Sequence, residues 1–323
     1  MKRMLIAFLG FFLIALGGRL AGASDQHMRF MAGPPGGNWF AMGGAFADLW
    51  TQDVVPVTSG TGGGLSNVIN VSRGKGDLGL TVASVLGAAQ KGEGPFKHKM
   101  ADAQNFANLY RQYTYFVARK GFVEKYGIKT LGDIIRKKVP VRLCTLKPGT
   151  SSEFVIRSIF EKGFDADWKD IKRNGGSVQF ATYSGGANLI ADGHIDLFAF
   201  AVGRAASIVM KIESQTEVVI LPVDEVARTS MARAYGTTTF EVDQDLYQSV
   251  TGPVPVVGDY TCIVIRRSVA EETAYNLAKS LYAHRESLAS VVKDLGEMRA
   301  DEAVSPGIVT HPGAETFWRE ASR

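Results

Sequence analysis

From residue 28 onward, short β-rich runs alternate with helix-like stretches, and turns rich in Gly, Ser and Thr stand between them. This alternation constrains the fold most, because it asks for parallel strands with helices packed on the sheet, an α/β protein. Residues 28–32 read as a first strand, and Asn38 caps a helix running to about Trp50. Residues 54–58 read as a second strand, 59–64 as a glycine loop, and 65–73 as a helix with Leu65, Val68 and Ile69 on one face. A third strand at 77–81 leads into a helix over 82–90, and residues 113–118 form a strand of alternating bulk. Lys120-Gly121 then reads as a crossing to a second α/β series.

In that series residues 139–145, 178–181, 195–200 and 217–222 read as strands, with helices over 153–162, 185–192 and 203–212. Residues 252–258 read as irregular because of Pro and Gly, 260–266 as a strand, and 269–288 as the longest helix. Two such series describe a two-lobed binding protein: lobe I over 24–118, lobe II over 119–222, and a return to lobe I over 223–323. A ligand crevice is expected between the lobes, outside the carboxyl ends of the strands.

The first 23 residues read as an export signal: Lys2 and Arg3, an apolar run from 4 to 16, then Ala21-Gly22-Ala23. The run is shorter than the roughly 20 residues that span a bilayer. Removing the segment takes Lys2, Arg3 and Arg19 from 36 basic residues and leaves the rest nearly balanced by 32 acidic ones. Capture of nucleic acid by charge therefore has no support. A periplasmic location and a monomer are expected. Two cysteines and five scattered histidines argue against a disulfide framework and a zinc centre, and no cofactor or metal is expected.

Three loops precede helices: Gly36-Gly37-Asn38-Trp39, Thr61-Gly62-Gly63-Gly64 and Gly149-Thr150-Ser151-Ser152. A helix N-terminus offers free N–H groups and partial positive charge, and glycine lets a ligand approach the backbone. Each loop alone is an ordinary strand-to-helix turn; three at matching ends of strands suit a small organic anion. Arg204 carries the fork that matches a carboxylate, with a solvated arginine paired to Asp192 as the plainer reading.

The order Gly-Gly-x-Trp before the first helix and Gly-Thr-x-Gly-Gly before the second resembles the TAXI-type solute receptors of TRAP transporters. Asn67, Gly76-Asp77-Leu78-Gly79-Leu80, Lys147-Pro148-Gly149-Thr150-Ser151-Ser152, the run 190–198 and Gly258-Asp259-Tyr260 extend the likeness over almost the whole exported chain. The resemblance implies a type II periplasmic-binding-protein fold with a hinge and an inter-lobe cleft. It also implies delivery of an amino acid such as glutamate, a keto acid or a dicarboxylate to integral-membrane TRAP subunits. By position it implies ligand contacts from Trp39, Ser59, Thr61, Gly62, Gly63, Asn67 and Ser84 in lobe I. From lobe II it implies Gly149, Thr150, Ser151, Tyr183, Val202 and Gly203; Arg204, singled out above for its fork, stands where the family often has proline.

Enzyme motifs fare badly. Gly74-x-Gly76-x-x-Gly79 leads into a strand rather than out of one, so it is no dinucleotide fingerprint. No G-x-S-x-G occurs, and His284-x-Glu286 lacks the P-C-x-x-C half of a deaminase zinc site. No catalytic residue is expected. A secreted α/β hydrolase and a sensing module for a membrane kinase remain the alternatives.

Overall fold

Met28 and Phe30 turn inward while Arg29 faces out, the two-residue period of a half-buried strand. The computed structural model that shows this describes residues 27–33, 35 and 37–323; the export segment expected over 1–23 lies outside them. Among the described residues no helix is long and apolar enough to cross a membrane.

The strands are β1 (Met28–Met31), β2 (Val57–Gly60), β3 (Leu78–Val82), β4 (Ala103–Arg119) and β5 (Arg142–Leu146). They continue as β6 (Ser177–Ala181), β7 (Leu197–Gly203), β8 (Val218–Ile220), β9 (Thr238–Val242) and β10 (Val254–Arg266). They form one sheet in the order β2-β1-β3-β10-β4-β7-β5-β6, with β8 on β4 and β9 on β10. Between them run α1 (Asn38–Asp53), α2 (Gly64–Ser72), α3 (Ala83–Lys91), α4 (Lys120–Tyr126), α5 (Leu131–Arg136) and α6 (Ser151–Phe164). The chain goes on through α7 (Trp168–Arg173), α8 (Tyr183–Ala191), α9 (Ser207–Glu213) and α10 (Glu225–Tyr235). It ends with α11 (Glu271–Ala283), α12 (Arg285–Leu288) and α13 (Pro312–Ala321).

Two long strands join the halves. The first part of β4, up to Tyr113, pairs antiparallel with β10, and from Gln112 onward β4 pairs with β7. β10 pairs with β9 up to Gly258, then with β3 from Thr261. The exchange of partners therefore falls at Gln112–Tyr113 and at Gly258, where the chain crosses twice side by side. The sequence expectation of a crossing at Lys120-Gly121 differs, because β4 continues to Arg119 and Lys120 opens α4. The return expected at residue 223 also differs: β9 still pairs with the first part of β10, and α10 packs on α6.

Four further expectations need correcting. The second strand starts at Val57, because α1 runs on to Asp53. β4 begins ten residues before Tyr113, at Ala103. Residues 254–258 are regular strand despite Pro255, which sits in the ladder with β9. The helix expected over 269–288 is two, broken at His284, whose ring bonds back to Ser280 O.

Strand alternation sorts the core onto two faces. On one face, Val82, Phe116, Ala118, Leu143, Leu197, Ala199, Cys262 and Val264 belong to a single apolar cluster that runs through both halves. On the other, the core divides. Phe30, Leu78, Leu80, Ile263 and Ile265 pack with α1, α11 and α13, whereas Tyr115, Cys144, Phe198 and Phe200 pack with α8 and α9. The seam between these two clusters is where a cavity opens.

Candidate binding site

The floor of the cavity is the crossover itself. Tyr110 and Gln112 project from β4, and Gln112 Nε2 donates to Thr261 Oγ1 on β10 at 2.6 Å. Trp39, in the first turn of α1, donates its Nε1–H to Tyr110 Oη at 3.2 Å. Burial pushes the Tyr110 hydroxyl up to about 12, so it stays protonated.

The opposite wall comes from the second half of the sheet. Leu146 ends β5, Thr150–Ser152 open α6, Tyr183 opens α8, and Ala201–Gly203 end β7. Thr150 caps α6: its hydroxyl donates to Lys147 O and accepts from Glu153 N–H. Ser152 Oγ accepts from Ala201 N–H at 2.9 Å, and Tyr183 Oη donates to Ala201 O at 2.8 Å. Desolvation in the cleft raises the Tyr183 hydroxyl to about 12. Asp294, from the 3₁₀ turn Lys293–Glu297, completes the rim. The enclosed space is about 310 Å³, at the small end of ligand pockets. Polar donors, three aromatic rings and a few aliphatic side chains line it, the composition of a small-molecule site.

The two halves also touch here. A Cβ placed on Gly64, in the first turn of α2, would stand 3.0 Å from Ser151 Oγ in the first turn of α6. The helix N-termini of the two halves thus lie against each other, with the cavity between them and β4.

Of the residues expected from sequence, the structure brings Trp39, Thr150, Ser151, Tyr183, Val202 and Gly203 to this cavity. It places the others elsewhere. Asn67 is fully buried and entirely engaged: Nδ2 donates to Met31 O, Ala32 O and Leu80 O at 2.9, 2.8 and 2.7 Å, and Oδ1 accepts from Gly63 N–H at 3.0 Å. It holds β1, β3 and the start of α2 together and has no donor left for a ligand. Gly62 is glycine for the same reason, since a Cβ there would collide with Asn67 Oδ1 and Ala32 O. Gly63 caps α2, and its N–H is the one Asn67 takes.

Thr61 and Ser59 are exposed outside the cavity, Ser59 beside Gly43 of α1. Gly149, with φ +92°, shapes the exposed turn before Thr150 and is not in the lining. Ser84 is buried behind the crossover, donating to Asp259 Oδ2 at 2.5 Å through its hydroxyl and to Oδ1 at 3.1 Å through its N–H. Asp259 therefore caps α3 and ties it to β10; burial lifts this carboxyl to about 6, against the pull of those donors. Arg204 pairs with Asp243 instead of entering the cleft, and the hydroxyls of Tyr115 and Tyr247 both donate to its carbonyl. That pinning turns its guanidinium onto the 243–247 loop.

Sequence reasoning missed Gly37, Asn38, Tyr110, Gln112, Leu146, Ser152, Ala201 and Asp294. Gly37, Asn38 and Ser152 stand in loops already singled out, so that signal was available. Tyr110 and Gln112 lie in the part of β4 whose polar composition hides a strand. Nothing local marks Asp294.

Two solved structures show how far the architecture is shared. A TctC solute binding protein from Polaromonas is 15% identical, with 92% of this chain and 94% of that chain covered and a TM-score of 0.52. MatC from Rhodopseudomonas palustris, solved with bound malate, is 14% identical, with 92% and 97% covered and a TM-score of 0.50. At these identities the likeness concerns the fold, and the fold is that of the two-lobed periplasmic binding proteins. Residues 30–321, from β1 through α13, match one family along their whole length, and the chain belongs to the NMT1-like family.

Proposed function

We propose that this protein is the periplasmic receptor of a TAXI-type TRAP transporter, closing two lobes around a small organic acid and handing it to integral-membrane subunits. The acid would be an amino acid such as glutamate, a keto acid or a dicarboxylate. The observation that carries the reading is the cavity at the strand crossover, walled by α1 from one half and by α6, α8 and β7 from the other. A ligand there contacts both halves at once, and only such a ligand stabilises the closed arrangement over an open one.

On this reading one lobe comprises residues 27–111 and 259–323, and the other residues 113–257, with Gln112 and Gly258 at the hinge. Trp39, Thr150, Ser151, Tyr183, Val202 and Gly203 hold the ligand, joined by Asn38, Tyr110, Gln112 and Ser152. The N–H groups of Ser151 and Ser152, in the first turn of α6, face a carboxylate. On this reading residues 1–23 are an export segment that directs the receptor to the periplasm, where it acts as a monomer.

The test is a thermal-shift screen over amino acids, keto acids and dicarboxylates. A ligand at about 100 times its dissociation constant adds about 2.7 kcal/mol of stability. The ligand should then be recovered chemically unchanged after prolonged incubation. Formation of a product would overturn the receptor reading in favour of a secreted enzyme.

A further inference from the structure

Among the described residues that line the cavity, one side chain is charged, and its charge is negative: Asp294. The cations nearest the crossover are committed elsewhere, Arg111 to Glu302 and Arg204 to Asp243. Asp294 reaches the end of β7 because residue 203 is glycine; a Cβ there would stand 2.9 Å from Asp294 Oδ2. Its charge is felt by the Tyr110 hydroxyl on the floor. Among the described residues no hydrogen bond supports the carboxylate; desolvation lifts it above the usual carboxylate range, against the pull of the neighbouring Lys293. A carboxylate left this way in a closing cleft is costly unless a cation arrives with the ligand.

We propose that Asp294 is the specificity-determining residue of the cleft, holding the ammonium group of a zwitterionic ligand whose remaining side chain is uncharged. The inference rests on the receptor reading above and narrows it: keto acids, dicarboxylates and glutamate itself are turned away in favour of an amino acid with an uncharged side chain. The ligand's carboxylate lies at the start of α6, its ammonium at Asp294, and its side chain among Trp39, Tyr183 and Leu146. An oxo acid of the same skeleton presents only oxygen to Asp294, and a dicarboxylate presents a second negative charge.

Matched pairs test this. Calorimetry compares L-leucine with 4-methyl-2-oxopentanoate, L-phenylalanine with phenylpyruvate, and L-glutamine, L-glutamate and succinate, on wild-type protein and Asp294→Asn. Asn keeps the shape of the side chain, and thermal unfolding checks that the variant folds. The expected result is that at least one uncharged amino acid binds at least tenfold more tightly than its oxo acid, L-glutamate or succinate. Asp294→Asn should weaken that binding by roughly ten- to a hundred-fold, the loss of one charge-assisted hydrogen bond, and erase the preference. Oxo acids or dicarboxylates binding as well as amino acids, or a preference that survives in Asp294→Asn, would overturn the assignment of Asp294 while leaving the receptor standing. Silence across the whole panel overturns both.

Discussion

The loops at 59–64 and 147–152 are chemically alike: each carries glycine and hydroxyl residues and opens a helix. In the folded protein they do different work. The second is capped by its own residue, Thr150, within one turn, and this leaves Ser151 and Ser152 at the cavity. The first is gripped from inside by Asn67, which takes Gly63 N–H and bonds one carbonyl of β1, that of Ala32 just beyond it, and one of β3. Gly64 then abuts Ser151 rather than a ligand. A helix N-terminus is a binding site only when it faces a cavity, and here Ser151 and Ser152 line one while Gly64 is packed against the facing helix. On the first half of the sheet, the turn that opens α1 faces the cavity instead, through Gly37, Asn38 and Trp39.

The sharpest way to break this contrast is Asn67→Ala. It removes a fully buried side chain that bonds three carbonyls and the Gly63 N–H at once, so stability should fall by about 3 kcal/mol or more. Urea unfolding reads this directly, and a loss below about 1 kcal/mol would mean that Asn67 is not the lock of the first loop. Ser152→Ala comes next. It strips Ala201 N–H of its acceptor beside the cavity, and the expected cost is about 1–2 kcal/mol of stability together with a weaker ligand affinity. Unchanged stability and affinity would put the second loop on the same footing as the first.

Thr61→Val should do least: stability within about 0.5 kcal/mol of wild type and no change in affinity, because the residue is exposed and outside the cavity. A tenfold loss of binding in a well-folded Thr61→Val protein would restore the glycine loop as a carboxylate clamp.

Much of this fold was legible locally. β1, β3, β5, β6 and β7 lie within a few residues of where period and composition put them, and α6 opens two residues earlier than expected, capped by Thr150. The first part of β4 was not legible, because Gln104, Asn105 and Asn108 make it read as a loop. These residues are buried, and the amide donors of Asn105 and Asn108 are met from far along the chain. Asn105 Nδ2 donates to Ala303 O at 3.2 Å, and Asn108 Nδ2 to Glu302 O and Ser305 Oγ at 2.8 and 2.9 Å. A strand whose buried amides donate to a distant segment carries no local hydrophobic signal. The same distance hid Asp294, which Gly203 admits to the rim from another part of the chain.

By itself, then, the sequence determined the class of fold, the two α/β series and the loops from which a site could be built, because strand and helix periods are set by neighbouring residues. Only the tertiary structure decided which of those loops lines the cavity, where the chain crosses between halves, and which sign of charge faces the cavity. Those outcomes depend on which buried polar group meets which partner across the sheet, and strand register and packing, not local periodicity, make that choice.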